Sequence, residues 1–220
     1  MERITLGRMQ NPVRGGLHGT AALASIIGLV NLIVRTADNL PSMWSMVFFG
    51  VSLIALYTTS SLYHSVPWNG TWKKRMQRLD HSRIFVLIAG SFTPIAYNVL
   101  TGAWRTTTLA TMWGIAAVGV GQKYLFPKVG TWFSVTLQTT MGWLVVVPIA
   151  QIARRLPLSA LLVLFLGGVF YTVGMVIFAT SRPKLFPRVF SHHELFHVLV
   201  VAGSVAHYLV VSLWVVPLVA

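Results

Sequence analysis

The chain has 220 residues, 55% of them hydrophobic and only 10% charged, and it has no cysteine. That balance argues against a soluble domain, which needs more polar surface to cover its core. Without thiols there are neither disulfides nor thiolate metal ligands. The formal charge of +13 is read as lysine and arginine in short loops, orienting helices and meeting anionic headgroups, and not as a nucleic-acid surface.

Apolar runs of membrane-spanning length predict helices at approximately 17–34, 42–65, 80–101, 106–122, 131–150, 157–179 and 192–219. Together they form a single seven-helix transmembrane domain over 1–220. The first run opens with His18 and with Gly15-x-x-x-Gly19, a spacing suited to close helix packing. The second ends on S60-S-L-Y-H64. The third starts at Asp80, with Arg83 one turn on. It contains Pro94, expected to kink or end it, with Thr93 and nearby polar groups satisfying the freed backbone. Gly, Gln and Thr blur the fourth and fifth runs, and Pro148 is expected to kink or end the fifth. The sixth carries Gly167-Gly168, another candidate packing pair. The seventh opens at S191-H-H-E-L-F-H197. The connections carry the polar and helix-breaking residues. No positive-hydrophobic-small pattern opens the chain, so no removable signal peptide is expected.

Basic residues orient the bundle. The N-terminal segment and the second, fourth and sixth loops hold twelve, among them Arg14, Lys73, Lys123 and Arg188. The other side has four: Arg35, Arg105, Arg154 and Arg155. The fold class is therefore an all-α integral membrane protein with a cytoplasmic N-terminus and an outside C-terminus.

That topology brings chemistry-bearing residues to one depth. His64 ends the second span, Asp80 starts the third, and His193 and His197 start the seventh, all at the cytoplasmic face. His193 and His197 are i and i+4, on one helix face. With His64 they supply three imidazoles, and three nitrogens with one open position is the arrangement of catalytic zinc. Ser60 lies one turn deeper than His64 on the same face. Asp80 is expected to serve the water of the open position, with Arg83 as a rival pairing partner. The letters H193-E-L-F-H197 also match H-E-x-x-H of zinc proteases. No domain exists to form a peptide groove, so that likeness is read as coincidence, and Glu194 as a rim carboxylate paired with a loop cation such as Arg188 or Lys184. His18 is a plausible neighbour of the ligands. His207, on the order of 15 Å deeper at helical rise, is expected to partner Ser204 or Ser212.

Three segments, S60-S-L-Y-H64, R78-L-D-H-S-R-I-F-V-L-I-A-G-S-F-T-P94 and H193-E-L-F-H-V-L-V-V-A-G-S-V-A-H207, resemble the hemolysin III family. This is the bacterial branch of the progestin and adiponectin receptor (PAQR) superfamily. The resemblance covers essentially the whole chain. It implies zinc held by His64, His193 and His197, with Ser60 and Asp80 beside it as catalytic residues. It further implies residence in the bacterial cytoplasmic (inner) membrane and a membrane lipid as substrate or ligand. The stretch N11-P-V-R-G-G-L-H18 departs from the pattern, because the family often carries an acidic residue there. Three functions follow. The first is a zinc-dependent, ceramidase-like hydrolase of a lipid amide or ester. The second is a non-catalytic sensor or receptor-like protein braced by zinc. The third is a cytolytic pore former, disfavoured by a permanent bundle with no secretable form.

Overall fold

The computed structural model describes residues 9–126, 129–186 and 189–219. Among them there is no strand. The helices are α1 (Pro12–Thr36), α2 (Leu40–Ser65), α3 (Gly70–Asn98), α4 (Gly102–Leu125), α5 (Thr131–Trp143), the short α6 (Ile149–Ala153), α7 (Leu158–Thr180) and α8 (His192–Val210). A π turn (Val211–Val215) and a 3-10 turn (Val216–Leu218) continue α8. Helices α1, α2, α7 and α8 with its continuation are long and apolar enough to cross a bilayer. Their outward faces fit that medium: on α1, Ile27 and Val34 are 72% and 71% exposed, which is tolerable only against lipid or another apolar surface. The chain is an all-α membrane protein.

Sequence neighbours α1 and α2, α2 and α3, α3 and α4, and α7 and α8 pack side by side, and α8 returns to lie against α1. That return places the two ends of the sequence together around the site. The α1–α2 seam is tight. A Cβ added to Gly15 would run into the Ser65 hydroxyl, and the Ser61 hydroxyl donates to the Gly15 carbonyl at 2.8 Å. Of the pair Gly167-Gly168, only Gly167 is pressed against a neighbour, the His207 ring; Gly168 faces open space.

Three expectations are corrected here. Helix α3 begins at Gly70, about ten residues before its apolar run, so Lys73, Lys74, Arg75 and Arg78 ride on helix and not in a loop. Met, Gln, Lys, Arg and Leu are good helix formers, whereas hydropathy registers only the part that suits lipid. Pro94 does not end α3, which continues to Asn98. The Asn98 amide bonds the Pro94 carbonyl at 2.8 Å and the Ser45 hydroxyl of α2 at 2.9 Å, tying the turn after the proline to its neighbour. Pro148 behaves as expected: α5 stops at Trp143, a 3-10 turn follows, and α6 restarts after the proline.

The third correction concerns His207. Ser204 and Ser212 are both engaged elsewhere. Ser204 joins Tyr57 of α2 at 2.6 Å and Tyr171 of α7 at 2.8 Å, and Ser212 accepts from Arg35 at 2.8 Å. The polar partner of His207 is instead the Leu164 backbone of α7, and its ring meets the Tyr171 ring edge-on, centroids 5.4 Å apart. Ser204 is thus the junction of three helices. Ser204→Ala should destabilise the protein by about 1–3 kcal/mol, because it leaves the buried Tyr57 phenol without this partner. Thermal unfolding in detergent measures this, and an unchanged midpoint would refute the junction.

Candidate metal centre

His64 stands in the last turn of α2. The helix ends there because Val66, extended before Pro67, cannot continue it. His193 and His197 stand in the first two turns of α8, which starts after extended Ser191. The three ring centroids are 4.9 Å (His64–His197), 5.0 Å (His193–His197) and 5.2 Å (His64–His193) apart. One ligand nitrogen from each lies within 4.8 Å of the other two, so the group can hold a metal ion. His64 and His197 are buried and His193 partly so. Nδ1 of His197 is buried with no hydrogen-bond partner among the described residues. Such a nitrogen suits a site where a metal, or groups ordered by it, completes the imidazole's bonding.

His18 of α1 stacks on His197 with centroids 4.0 Å apart and a 25° interplanar angle, and meets Tyr57 edge-on at 5.0 Å. It stands beside the three imidazoles and is not one of the converging group.

Asp80 and Ser60 are buried, and the Ser60 hydroxyl hydrogen-bonds the Asp80 carboxylate. Both line the same cavity as His193 and His197. Arg83, the rival partner, makes no ion pair with Asp80, and its Nε is itself buried without a hydrogen-bond partner among the described residues. Ser60 occupies that role from α2, which packs along α3. The cavity has a volume of ≈ 180 Å³, and its apolar lining includes Leu56, Phe92 and Leu164. Hence Asp80, the Ser60 hydroxyl and five histidines (His18, His81, His193, His197 and His207) border a space whose surface is mostly apolar.

Glu194 departs from its sequence reading. It is buried, not at a rim, and its partner is Arg14 of α1, whose Nε donates to Oε1 at 2.7 Å. Lys184 is not that partner, and Arg188 lies outside the described residues. The other oxygen, Oε2, accepts the Ser191 backbone N–H at 2.9 Å. This is the reciprocal half of a capping box, which fixes the first turn of α8. A protease-type general base needs a free carboxylate oxygen at the water; both oxygens of Glu194 are already bound to the protein. The pattern H-E-x-x-H therefore divides here into two imidazoles for a metal and one carboxylate for helix capping.

Sequence reasoning overlooked Arg14, because it counted that residue only as an orienting charge. A signal existed in principle: Arg14 and His18 are i and i+4, so a helix that directs His18 inward directs Arg14 the same way. Nothing in the sequence pointed to Tyr57 and Tyr171 as partners of Ser204.

A family model described as haemolysin-III related matches residues 7–208. Over 202 residues the chain is 35% identical to a hemolysin-3 homolog of Bacillus subtilis, covering 90% of this chain and 91% of the relative. It is 32% identical over 202 residues to hemolysin-3 of Bacillus cereus, covering 91% and 89%. A more distant relative, monocyte to macrophage differentiation factor of Homo sapiens, is 23% identical over 195 residues, covering 87% and 78%. The chain belongs to the hemolysin III family, the bacterial branch of the PAQR superfamily that its three motifs resemble.

Proposed function

We propose that this protein is a zinc-dependent hydrolase of a membrane-lipid amide or ester, resident in the bacterial cytoplasmic (inner) membrane and acting in membrane homeostasis. The observation that supports the proposal is that two of the three converging histidines, His193 and His197, line the same largely apolar cavity as the buried Ser60 and Asp80. Three imidazoles without a thiolate suit zinc with an open position better than a closed structural site. When bound, zinc supplies Lewis acidity and an acidified water.

The protein's own residues do the rest. The apolar walls bind the acyl chain and hold its carbonyl beside Ser60 and Asp80. Asp80 accepts a proton from the attacking water as the new C–O bond forms, and the Ser60 hydroxyl orients that carboxylate. The proton then passes to the leaving nitrogen or oxygen as the C–N or C–O bond breaks, giving a fatty acid and an amine or alcohol. One water is consumed, with no redox change. His18, packed on His197, holds that ring in place.

Seven crossings with the N-terminus inside complete the proposal. A reporter active only in the cytoplasm, fused to the C-terminus, should be silent, and a bright signal would overturn the orientation. The hydrolase reading is tested by acyl-chain release from purified protein given a panel of lipid amides and esters. Release should be abolished by a chelator and restored by zinc. If zinc-loaded protein releases nothing across the panel, the second reading stands instead: a sensor in which the metal only braces α2 against α8.

A further inference from the structure

Lys123 stands in the last turn of α4. A lysine there ordinarily complements the helix dipole or reaches outward to headgroups. This one is half-buried and lines the interior cavity, as Ser134 and Gln138 of α5 also do. Gln138 is only 4% exposed, so what remains of its surface faces the cavity. No acid neutralises the ammonium among the described residues. Glu194 is paired with Arg14, Asp80 lines the same cavity but makes no ion pair with Lys123 among the described residues, and Asp38 lies beyond the far end of α1. The titratable neighbour that Lys123 does have is His81, an imidazole that supplies no negative charge. A cation in a largely apolar cavity without a counter-ion is costly, and an anionic ligand would remove that cost. The space is small: ≈ 180 Å³ falls below the roughly 300–1,000 Å³ of sites for drug-sized ligands, which favours a slender ligand such as a single acyl chain.

We infer that the cavity takes a single-chain lipid with an anionic headgroup, such as a fatty-acyl amide of an amino acid, whose carboxylate or phosphate is held by Lys123 with Gln138 beside it. The inference builds on the hydrolase reading by naming the headgroup, but it is tested by binding alone. N-lauroylglycine and N-lauroylethanolamine are matched amides, one anionic and one neutral. Binding of each to the purified, zinc-loaded protein in a neutral detergent is measured by ligand-dependent shift of the unfolding midpoint and by titration. Wild type should prefer the glycine amide by about tenfold, the order of one charge-assisted contact. Lys123→Gln should reduce that preference to within about threefold while leaving the ethanolamide affinity unchanged, and Lys123→Arg should retain it. Inorganic phosphate and acetate should not compete. Equal binding of the two amides by wild type, an undiminished preference in Lys123→Gln, or competition by the free anions would each overturn the inference. An intact headgroup preference with no cleavage of either amide would instead sink the hydrolase reading alone.

Discussion

Asp80→Asn should abolish most lipid hydrolysis, by about 10²–10⁴-fold, the usual contribution of a positioned general base, while zinc content and fold persist. The substitution keeps the shape and the hydrogen bond to Ser60 but removes the proton acceptor. The metal-holding group is composed of His64, His193 and His197, so the ion should be retained. The measurement pairs acyl release with elemental analysis of the same preparation. Loss of zinc would make Asp80 a direct ligand. Retained activity would reduce it to a structural carboxylate. Ser60→Ala should give a smaller loss in the same direction, because it loosens the orientation of Asp80 and leaves its charge in place.

Arg14→Met should be the most destabilising single change outside the histidines. The Arg14 and Glu194 side chains are 7% and 4% exposed, and removing Arg14 takes this counter-charge from a carboxylate in a medium that solvates it poorly. Broken buried pairs cost about 3–5 kcal/mol, against at most about 1 kcal/mol for an exposed pair. The same carboxylate caps the first turn of α8, through Ser191 N–H at 2.9 Å, and that turn carries His193. Lower stability should therefore be accompanied by weaker metal retention. The double variant Arg14→Met with Glu194→Gln should recover part of the loss, since it removes that carboxylate's charge. Thermal unfolding of the three variants measures this. A loss below about 1 kcal/mol in Arg14→Met would show that the pair behaves as an exposed one.

Much of this arrangement was legible in the sequence, for identifiable reasons. His64, Asp80, His193 and His197 fall at span ends, and the alternation of basic loops puts those ends on one side. Depth is thus readable without any tertiary information. The i, i+4 spacing of His193 and His197 then follows from helical geometry. What stayed hidden depends on contacts between distant residues or on helix outside the apolar run. Arg14 and Glu194 are 180 positions apart, and only the return of α8 to α1 joins them. The early start of α3 at Gly70 carries no hydropathy signal, because its first turns are cationic. Lys123 reads as an orienting charge until it is seen to line the same cavity as α5. His207 was assigned a serine because serines lie nearby on its own helix, but tyrosines from α2 and α7 occupy Ser204 first.

Every functional step above depends on His64, His193 and His197 holding one metal ion together. Elemental analysis of the purified protein should find about one zinc per chain. His64→Ala, His193→Ala and His197→Ala should each fall towards background and lose thermal stability in parallel, since bound metal stabilises only the folded state. A His197→Ala protein that keeps a full zinc ion would contradict the account.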